Sequence, residues 1–81
     1  MNTSLPAAQL AALQALVIHG HLRRTREGYR SALPGTQPTH SSRALYALER
    51  AALAEQTDGQ SEFAPTRAGR DLIAITQRKA A

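Results

Sequence analysis

The fold is decided by the stretch HSSRALYALERAALAEQ (residues 40–56), which is followed by TDGQSEFA (57–64) and PTRAGRDLIAI (65–75). The first part has apolar residues at the spacing of an amphipathic helix. The second carries an Asp-Gly turn signal between two short strand-like runs. The third opens with a capping threonine ahead of an apolar helical pattern. This order predicts a helix, a small hairpin and a further helix.

The first part of that stretch predicts the second of three helices, from a cap at Thr39 to about Ala54. Its buried stripe is expected to contain Leu45, Leu48 and Ala52. The opposite face then carries Ser42, Arg43, Tyr46, Glu49 and Arg50. This helix is therefore predicted to present two arginines to solvent.

The next two parts predict a hairpin and the third helix. Asp58-Gly59 is typical of a two-residue turn, here joining strand 53–57 to strand 61–64 with Phe63 pointing inward. Thr66 is expected to cap the third helix. The core face of that helix is predicted to contain Leu72, Ile73 and Ile75, and residues 77–81 are expected to fray.

The N-terminal half predicts one helix and a second hairpin. The helix spans about residues 5–19, with Ser4 as its cap and Gly20 as its stop. In HLRRTREGYRSA (21–32), a turn at 26–28 is expected to pair residues 22–25 with 29–32, with Leu22 and Tyr29 inward. A short helix is the alternative here, and Gly28 argues against it. The arginines on the hairpin's outer face or tip are then Arg23, Arg24, Arg26 and Arg30.

Composition narrows the class of protein. The chain of 81 residues has the length of one domain, which is expected to span residues 1–81 with residues 1–3 frayed. Residues 33–38 are predicted to form a loop. It has no cysteine, and no apolar run approaches the roughly 20 residues of a membrane span. The N-terminal apolar stretch lacks a basic flank, so we expect a cytoplasmic protein without a membrane partner.

The charge balance favours a polyanionic partner. The net charge is +4, and of the ten basic residues only Lys79 is a lysine. Arginine matches phosphates and guanine edges well. A GC-rich genome is an alternative cause of the arginine excess, although it does not account for the clustering of arginines.

The residues from Ser41 to Arg50, with Leu53, resemble the recognition helix of winged helix-turn-helix transcriptional regulators. The run from Glu62 to Arg70 is similar to the return strand and "LT-x-x-G-R" pattern of MarR-like and PadR-like proteins. The resemblance covers about half of the chain. It implies an α+β fold, a small winged-helix-like domain of three helices and two short β-hairpins.

Two positions depart from the family pattern. Ala52 stands where such proteins usually carry glycine, and this is without effect if the helix ends without a left-handed residue. Residues 22–32 read as a hairpin where the family has its middle helix. The size and pattern are also similar to those of small phage or prophage proteins.

The resemblance and the charge together predict a transcriptional regulator that binds double-stranded DNA with helix 39–54 and the arginine-rich hairpin 22–32. A homodimer is expected, because two-fold symmetry doubles the site that is read. The predicted major-groove residues are His40, Ser42, Arg43, Tyr46 and Arg50. The hairpin residues Arg23, Arg24, Arg26 and Arg30 are predicted to contact the DNA backbone or the minor groove, and Arg67 is predicted to contact a phosphate. The second hairpin (57–62) has no basic residue.

Other functions remain open at this stage. The same fold also serves as a protein–protein adaptor, for example a phage-encoded modulator of a host complex. A ribbon-type RNA binder lacks the aromatic platform that such proteins use. Arg67 and Arg70 have an alternative role as partners of Glu62, Asp71 or Glu49.

We expect neither enzymatic activity nor a cofactor nor a bound metal. The three histidines, without cysteine or a nearby carboxylate, make a thin ligand set. Ser41, His40 and Asp58 lie in no nucleophile elbow. No segment of the sequence indicates a ligand pocket.

Overall fold

The computed structural model describes residues 5–31, 38–57, 59 and 61–80, with residues 78–80 described by their backbone only. The helices and strands occur in the order α1 (Ala7–His19), β1 (Leu22–Thr25), β2 (Gly28–Arg30), α2 (Ser42–Arg50), β3 (Ala54–Thr57), β4 (Glu62–Pro65) and α3 (Arg67–Ala80). The predicted α+β fold with three helices and two hairpins is confirmed. None of the described helices has both the length and the apolar character needed to cross a bilayer. The predicted Ser4 cap and the strand end at Ala32 lie outside the described residues, as do Asp58 and most of the predicted loop, residues 33–37.

The two hairpins join into one antiparallel sheet with the strand order β2-β1-β4-β3. The junction is the β1–β4 pair, in which Leu22 lies opposite Phe63 and Arg23 lies opposite Glu62. Both Leu22 and Phe63 are buried. One sheet face therefore supplies the core, and the first hairpin is fixed to the second.

The first hairpin has the predicted position and a slightly different register. Thr25 pairs with Gly28, so the turn contains only two residues, and β2 starts one residue earlier than predicted. The Thr25 hydroxyl donates a hydrogen bond of 2.6 Å to the Gly28 carbonyl. Tyr29 is buried like Leu22, which confirms the predicted inward residues.

The second hairpin corrects the predicted turn. Thr57 pairs with Glu62, so four residues (58–61) connect the strands instead of the two-residue turn expected from Asp58-Gly59. The backbone N–H of Arg24 donates to the Ser61 carbonyl at 2.9 Å. This contact ties Ser61 to β1.

The start of α2 is also corrected. The cap is Ser41, whose hydroxyl accepts from the Ala44 N–H at 3.2 Å, and the predicted cap at Thr39 is wrong. His40 forms an antiparallel bridge with Tyr29, through two backbone hydrogen bonds of 2.7 and 2.8 Å. Because this bridge holds residue 40 extended, the helix begins only after Ser41.

Among the described residues, the core contains eleven apolar side chains from the three helices and the inner face of the sheet: Ala12, Leu13, Leu16, Leu22, Tyr29, Ala44, Leu45, Leu48, Ala54, Phe63 and Ile73. Two predicted core residues are wrong. Ile75 is 50% exposed, and Ala52 is exposed because α2 has ended before it.

The predicted stop of α1 at Gly20 is confirmed, with φ of 85° and its N–H bonded to the Leu16 carbonyl. At the other end, α3 remains helical to Ala80, past residue 77.

The turn between α2 and β3 is held by the start of α3. The Thr66 hydroxyl donates to the Ala52 carbonyl at 2.7 Å and accepts from the Gly69 N–H at 3.1 Å, which confirms Thr66 as the cap of α3. The Thr66 N–H donates to the Leu53 carbonyl at 3.1 Å. One threonine therefore fixes both the α2–β3 turn and the first turn of α3.

Ala52 adopts a left-handed conformation with φ of 64°, so the condition under which the missing glycine has no effect is not met. A residue with a Cβ atom loses roughly 1–2 kcal/mol there. We therefore predict that Ala52→Gly raises the free energy of unfolding by about 0.5–1 kcal/mol, after the greater backbone entropy of unfolded glycine is subtracted. Chemical denaturation measures this change. Ala51→Gly, at φ of −84°, is the matched control and should destabilise; a less stable Ala52→Gly protein would contradict the prediction.

Candidate nucleic-acid interface

The exposed side of α2 brings together four of the predicted DNA-contacting residues. Ala44, Leu45 and Leu48 turn towards the core, and the helical repeat then places the others on the solvent side. Those exposed residues are Ser42, Arg43, Tyr46 and Arg50. Within the described ranges, neither arginine forms an ion pair. The α2 surface, as we call these four residues, therefore presents two guanidinium groups without an acidic partner.

Glu49 lies beside the α2 surface and turns away from it. Its Oε1 accepts a hydrogen bond of 2.9 Å from Gln56 Nε2 on β3, and its side chain is half-buried. Glu49 was predicted to lie on the exposed face with the arginines, and this is corrected. The contact removes a carboxylate from the centre of the face.

His40 lies apart from the α2 surface, before the helix cap. Its Nε2 atom is enclosed and has no hydrogen-bond partner among the described residues. Burial lowers the pKa of His40, and the neighbouring His19 lowers it further. A contact between a base and His40 through Nε2 would require this enclosed nitrogen to move.

The lowered pKa of His40 predicts a stability that falls in mild acid. The unfolded chain, with a histidine pKa of about 6.5, binds the proton more readily than the folded chain. Stability is therefore complete above pH about 6.5 and declines as the pH falls from there towards the lower folded pKa. Unfolding free energies between pH 7.5 and pH 5 measure the decline. His40→Gln should flatten it, whereas His21→Gln keeps His40 and should retain it; an unchanged slope in His40→Gln would rule out this origin.

All three aromatic residues of the chain form one cluster beneath the α2 surface. The rings of Tyr29 and Phe63 meet edge to face at 5.1 Å, and those of Tyr46 and Phe63 meet in the same way at 5.6 Å. Burial raises the pKa of Tyr29, and Tyr46 raises it further through its charge and a side-chain hydrogen bond. Tyr46 is 41% exposed, so it joins the core to the surface. The cluster fixes the orientation of α2 on the sheet.

The arginines of the first hairpin are divided between the two faces of the sheet. Side chains alternate along a strand, and opposite residues share a face. Arg24 lies opposite the buried Tyr29 and so belongs to the helix-facing side. Arg23 and Arg30 lie opposite each other on the other side. The predicted position on the outer face or tip is therefore confirmed for Arg23, Arg30 and Arg26, and it is wrong for Arg24.

Glu62 partly neutralises the far face of the sheet. Its Oε2 lies 3.4 Å from Arg23 Nε and 3.8 Å from His21 Nε2. Its Oε1 accepts a hydrogen bond from Thr57 at 3.2 Å. Arg23 is 60% exposed, so this pair is worth at most about 1 kcal/mol. Arg23 is nevertheless a weaker candidate for a phosphate contact than an arginine without such a neighbour.

A groove of about 440 Å³ lies between the turn of the first hairpin and the start of α2. No short sequence pattern indicates this groove, since its two walls are more than ten residues apart in the chain. Its walls are formed by Arg24, Thr25, Arg26, Glu27, Gly28, Tyr29, Ser41, Ser42 and Tyr46. The groove thus joins two hairpin arginines to two residues of the α2 surface. Glu27 and Ser41 were not among the predicted site residues; the double serine before the helix was the available signal for Ser41.

Arg67 lies elsewhere, at the start of α3. Gly69, two residues further on, packs against the Leu53 carbonyl beyond the C-terminal end of α2. Arg67 and Arg70 are both exposed and form no ion pair with another described residue, so the alternative pairing with Glu62, Asp71 or Glu49 is not seen there. Arg67 is therefore separated from the groove by the length of α2.

In the part of the chain that the structure describes, no three His, Asp or Glu side chains are arranged to hold a metal ion. The arrangement instead presents guanidinium and hydroxyl groups, which bind anions. Neither a protein-family model, nor a curated protein, nor a solved structure matches this chain.

Proposed function

We propose that this protein is a winged-helix-like transcriptional regulator that binds double-stranded DNA. The observation that carries the proposal is the α2 surface, in which Ser42, Arg43, Tyr46 and Arg50 are exposed together. The nearest carboxylate on the helix, Glu49, is bonded to Gln56 instead. A helix with such a face suits the major groove of DNA, where arginine bonds guanine O6 and N7.

The surroundings of α2 support this use. The helix is packed on α1 and on the sheet, and a hairpin and a final helix follow it, as in the winged-helix proteins that the sequence resembles. The net charge of +4 favours association with a polyanion through release of counterions. We further propose a homodimer acting in the cytoplasm, since two symmetric copies read a longer site than one copy.

Removal of either arginine of the α2 surface is expected to weaken DNA binding by about 5- to 150-fold, since a bidentate arginine–guanine contact is worth roughly 1–3 kcal/mol. The variants are Arg43→Ala and Arg50→Ala, and the measurement is fluorescence anisotropy with a duplex selected from a random pool. Arg70→Ala is the matched control, because it removes the same charge from an exposed position on α3. It should weaken binding much less than either α2 variant.

Titrations at low and physiological salt complete this test. Phosphate contacts make the logarithm of the affinity fall linearly with the logarithm of the salt concentration. A folded protein that binds no duplex at low salt would contradict the proposal. An equal loss in all three variants would place the binding outside α2.

A second candidate function is a protein–protein adaptor. The observation that favours it is the charge of the β3–β4 hairpin, whose described residues include Glu55 and Glu62 and no basic residue. A wing that enters DNA normally carries arginine or lysine. Pull-down of a defined partner that also protects Tyr46 from solvent, together with absent DNA binding, would favour this function.

A further inference from the structure

The groove between the first hairpin and α2 combines charge, size and hydrogen-bond donors in one place. Its guanidinium groups come from Arg24 on β1 and Arg26 in the hairpin turn. Both side chains are exposed, and neither forms an ion pair with a described carboxylate. By contrast, Arg23 on the far face lies against Glu62. The groove side of the hairpin thus carries two guanidinium groups without a described acidic partner, whereas on the far face Arg23 is paired and Arg30 is not.

The opposite wall supplies neutral donors. The Ser41 hydroxyl oxygen accepts the capping hydrogen bond from the Ala44 N–H, which does not use its O–H, and Ser42 lines the groove beside it. The N–H groups of Ser42 and Arg43 belong to the first turn of α2 and have no acceptor within the helix. Guanidinium groups with hydroxyl and amide donors are the chemistry that binds phosphate oxygens.

The ring of Tyr46 also lines the groove, on the side formed by α2, and it packs against the ring of Phe63. A volume of about 440 Å³ lies within the range of small-ligand sites, so it accommodates a phosphate together with the sugar attached to it. Glu27 also lines the groove and opposes an anion. The two arginines outnumber it, so the net charge of the groove is positive.

We propose that this groove binds one phosphate group of a nucleotide, and that in the DNA complex this is a backbone phosphodiester. The source of the phosphate rests on the proposed function; the phosphate site itself does not. The first hairpin then provides the second DNA contact, beside α2. The described residues of β3–β4 lack the positive charge for that role.

The test uses two adjacent substitutions of opposite charge in the hairpin turn, Arg26→Gln and Glu27→Gln. Both side chains are exposed, so both proteins should keep their fold, and circular dichroism checks this. Arg26→Gln is expected to weaken duplex binding about 3- to 10-fold and to reduce the salt slope by about one. Glu27→Gln is expected to tighten binding about 2- to 5-fold, because it removes the charge that opposes the phosphate. A shared loss in both variants, or no change in either, would overturn the proposal for the DNA backbone.

A second arm separates the sources of phosphate. Adenosine monophosphate is titrated into the 15N-labelled protein, and the amide signals of Ser42 and Arg43 are followed. Saturable shifts at these amides that Arg26→Gln weakens are expected for a phosphate site. If such shifts occur while no duplex binds, the site takes free nucleotides and the proposed function fails. In another outcome, duplex binding depends on Arg43 and Arg50, but the amide signals do not respond to the nucleotide and the turn variants bind like wild type. The groove inference then fails and the proposed function stands.

Discussion

Phe63→Ala is expected to lower the free energy of unfolding by about 3–5 kcal/mol, the usual loss for a buried phenylalanine. Phe63 is fully buried at the centre of the sheet, opposite Leu22. Its ring meets both tyrosines of the chain, so the substitution removes the contact that joins the first hairpin, β4 and α2. A domain of this size has a total stability of roughly 4–12 kcal/mol, so the variant is expected to be partly or fully unfolded at 25 °C.

Urea denaturation followed by circular dichroism measures this loss. Phe63→Leu is the control, because it keeps most of the buried volume and should lose only about 1–1.5 kcal/mol. Comparison of the two separates the removal of an aromatic ring from the creation of a cavity. A Phe63→Ala protein within 1 kcal/mol of wild type would mean, by the cavity scale, that the ring is not enclosed as described.

Gly69→Ala is expected to destabilise the protein by about 2–4 kcal/mol, although alanine is the better helix former by roughly 1 kcal/mol. A Cβ atom at Gly69 would overlap the backbone carbonyl oxygen of Leu53 and lie 3.1 Å from Leu13 Cδ1. The carbonyl belongs to the turn that Thr66 holds, so it cannot withdraw without breaking those hydrogen bonds. The substitution therefore separates α3 from the end of α2.

Thermal and urea unfolding of Gly69→Ala should be compared with Gly59→Ala. Gly59 has φ of 61° with nothing within 4 Å of an added Cβ, so that variant loses only the left-handed preference of glycine, about 1 kcal/mol. If Gly69→Ala were as stable as wild type, the close contact between α3 and the Leu53 carbonyl would be wrong.

The elements that depend on local pattern were predictable from sequence. Leu22 and Tyr29 alternate with polar residues on either side of a glycine-containing turn, and both are buried as expected. Thr66 precedes an apolar helical repeat and caps α3. In each case the signal lies within a few residues of the structure that it specifies.

The pairing of the two hairpins was not predictable in this way. Arg23 and Glu62 lie 39 positions apart in the chain and are brought opposite each other only by the β1–β4 register. The start of α2 also depends on a contact between distant residues. Both Thr39 and Ser41 are good caps, and the bridge between His40 and Tyr29 selects Ser41. Tertiary contacts decide both cases.

The candidate site likewise has a part that local sequence patterns predict and a part that depends on tertiary contacts. The helical repeat predicted which side of α2 is exposed, including Arg43 and Arg50. Which sheet face each hairpin arginine occupies depends on strand register, and the groove exists only because the first hairpin lies beside the start of α2. No short-range pattern contains that information.

The central position of β1 in the sheet has a consequence for synthesis on the ribosome. β1 is made early, yet one of its two neighbours is β4, which is translated long after α2. A nascent chain that stops at residue 61 already contains Arg24, Arg26, Arg43 and Arg50 but lacks the strand that orients them. An unfinished chain would therefore carry these positive charges without the surface proposed to bind DNA.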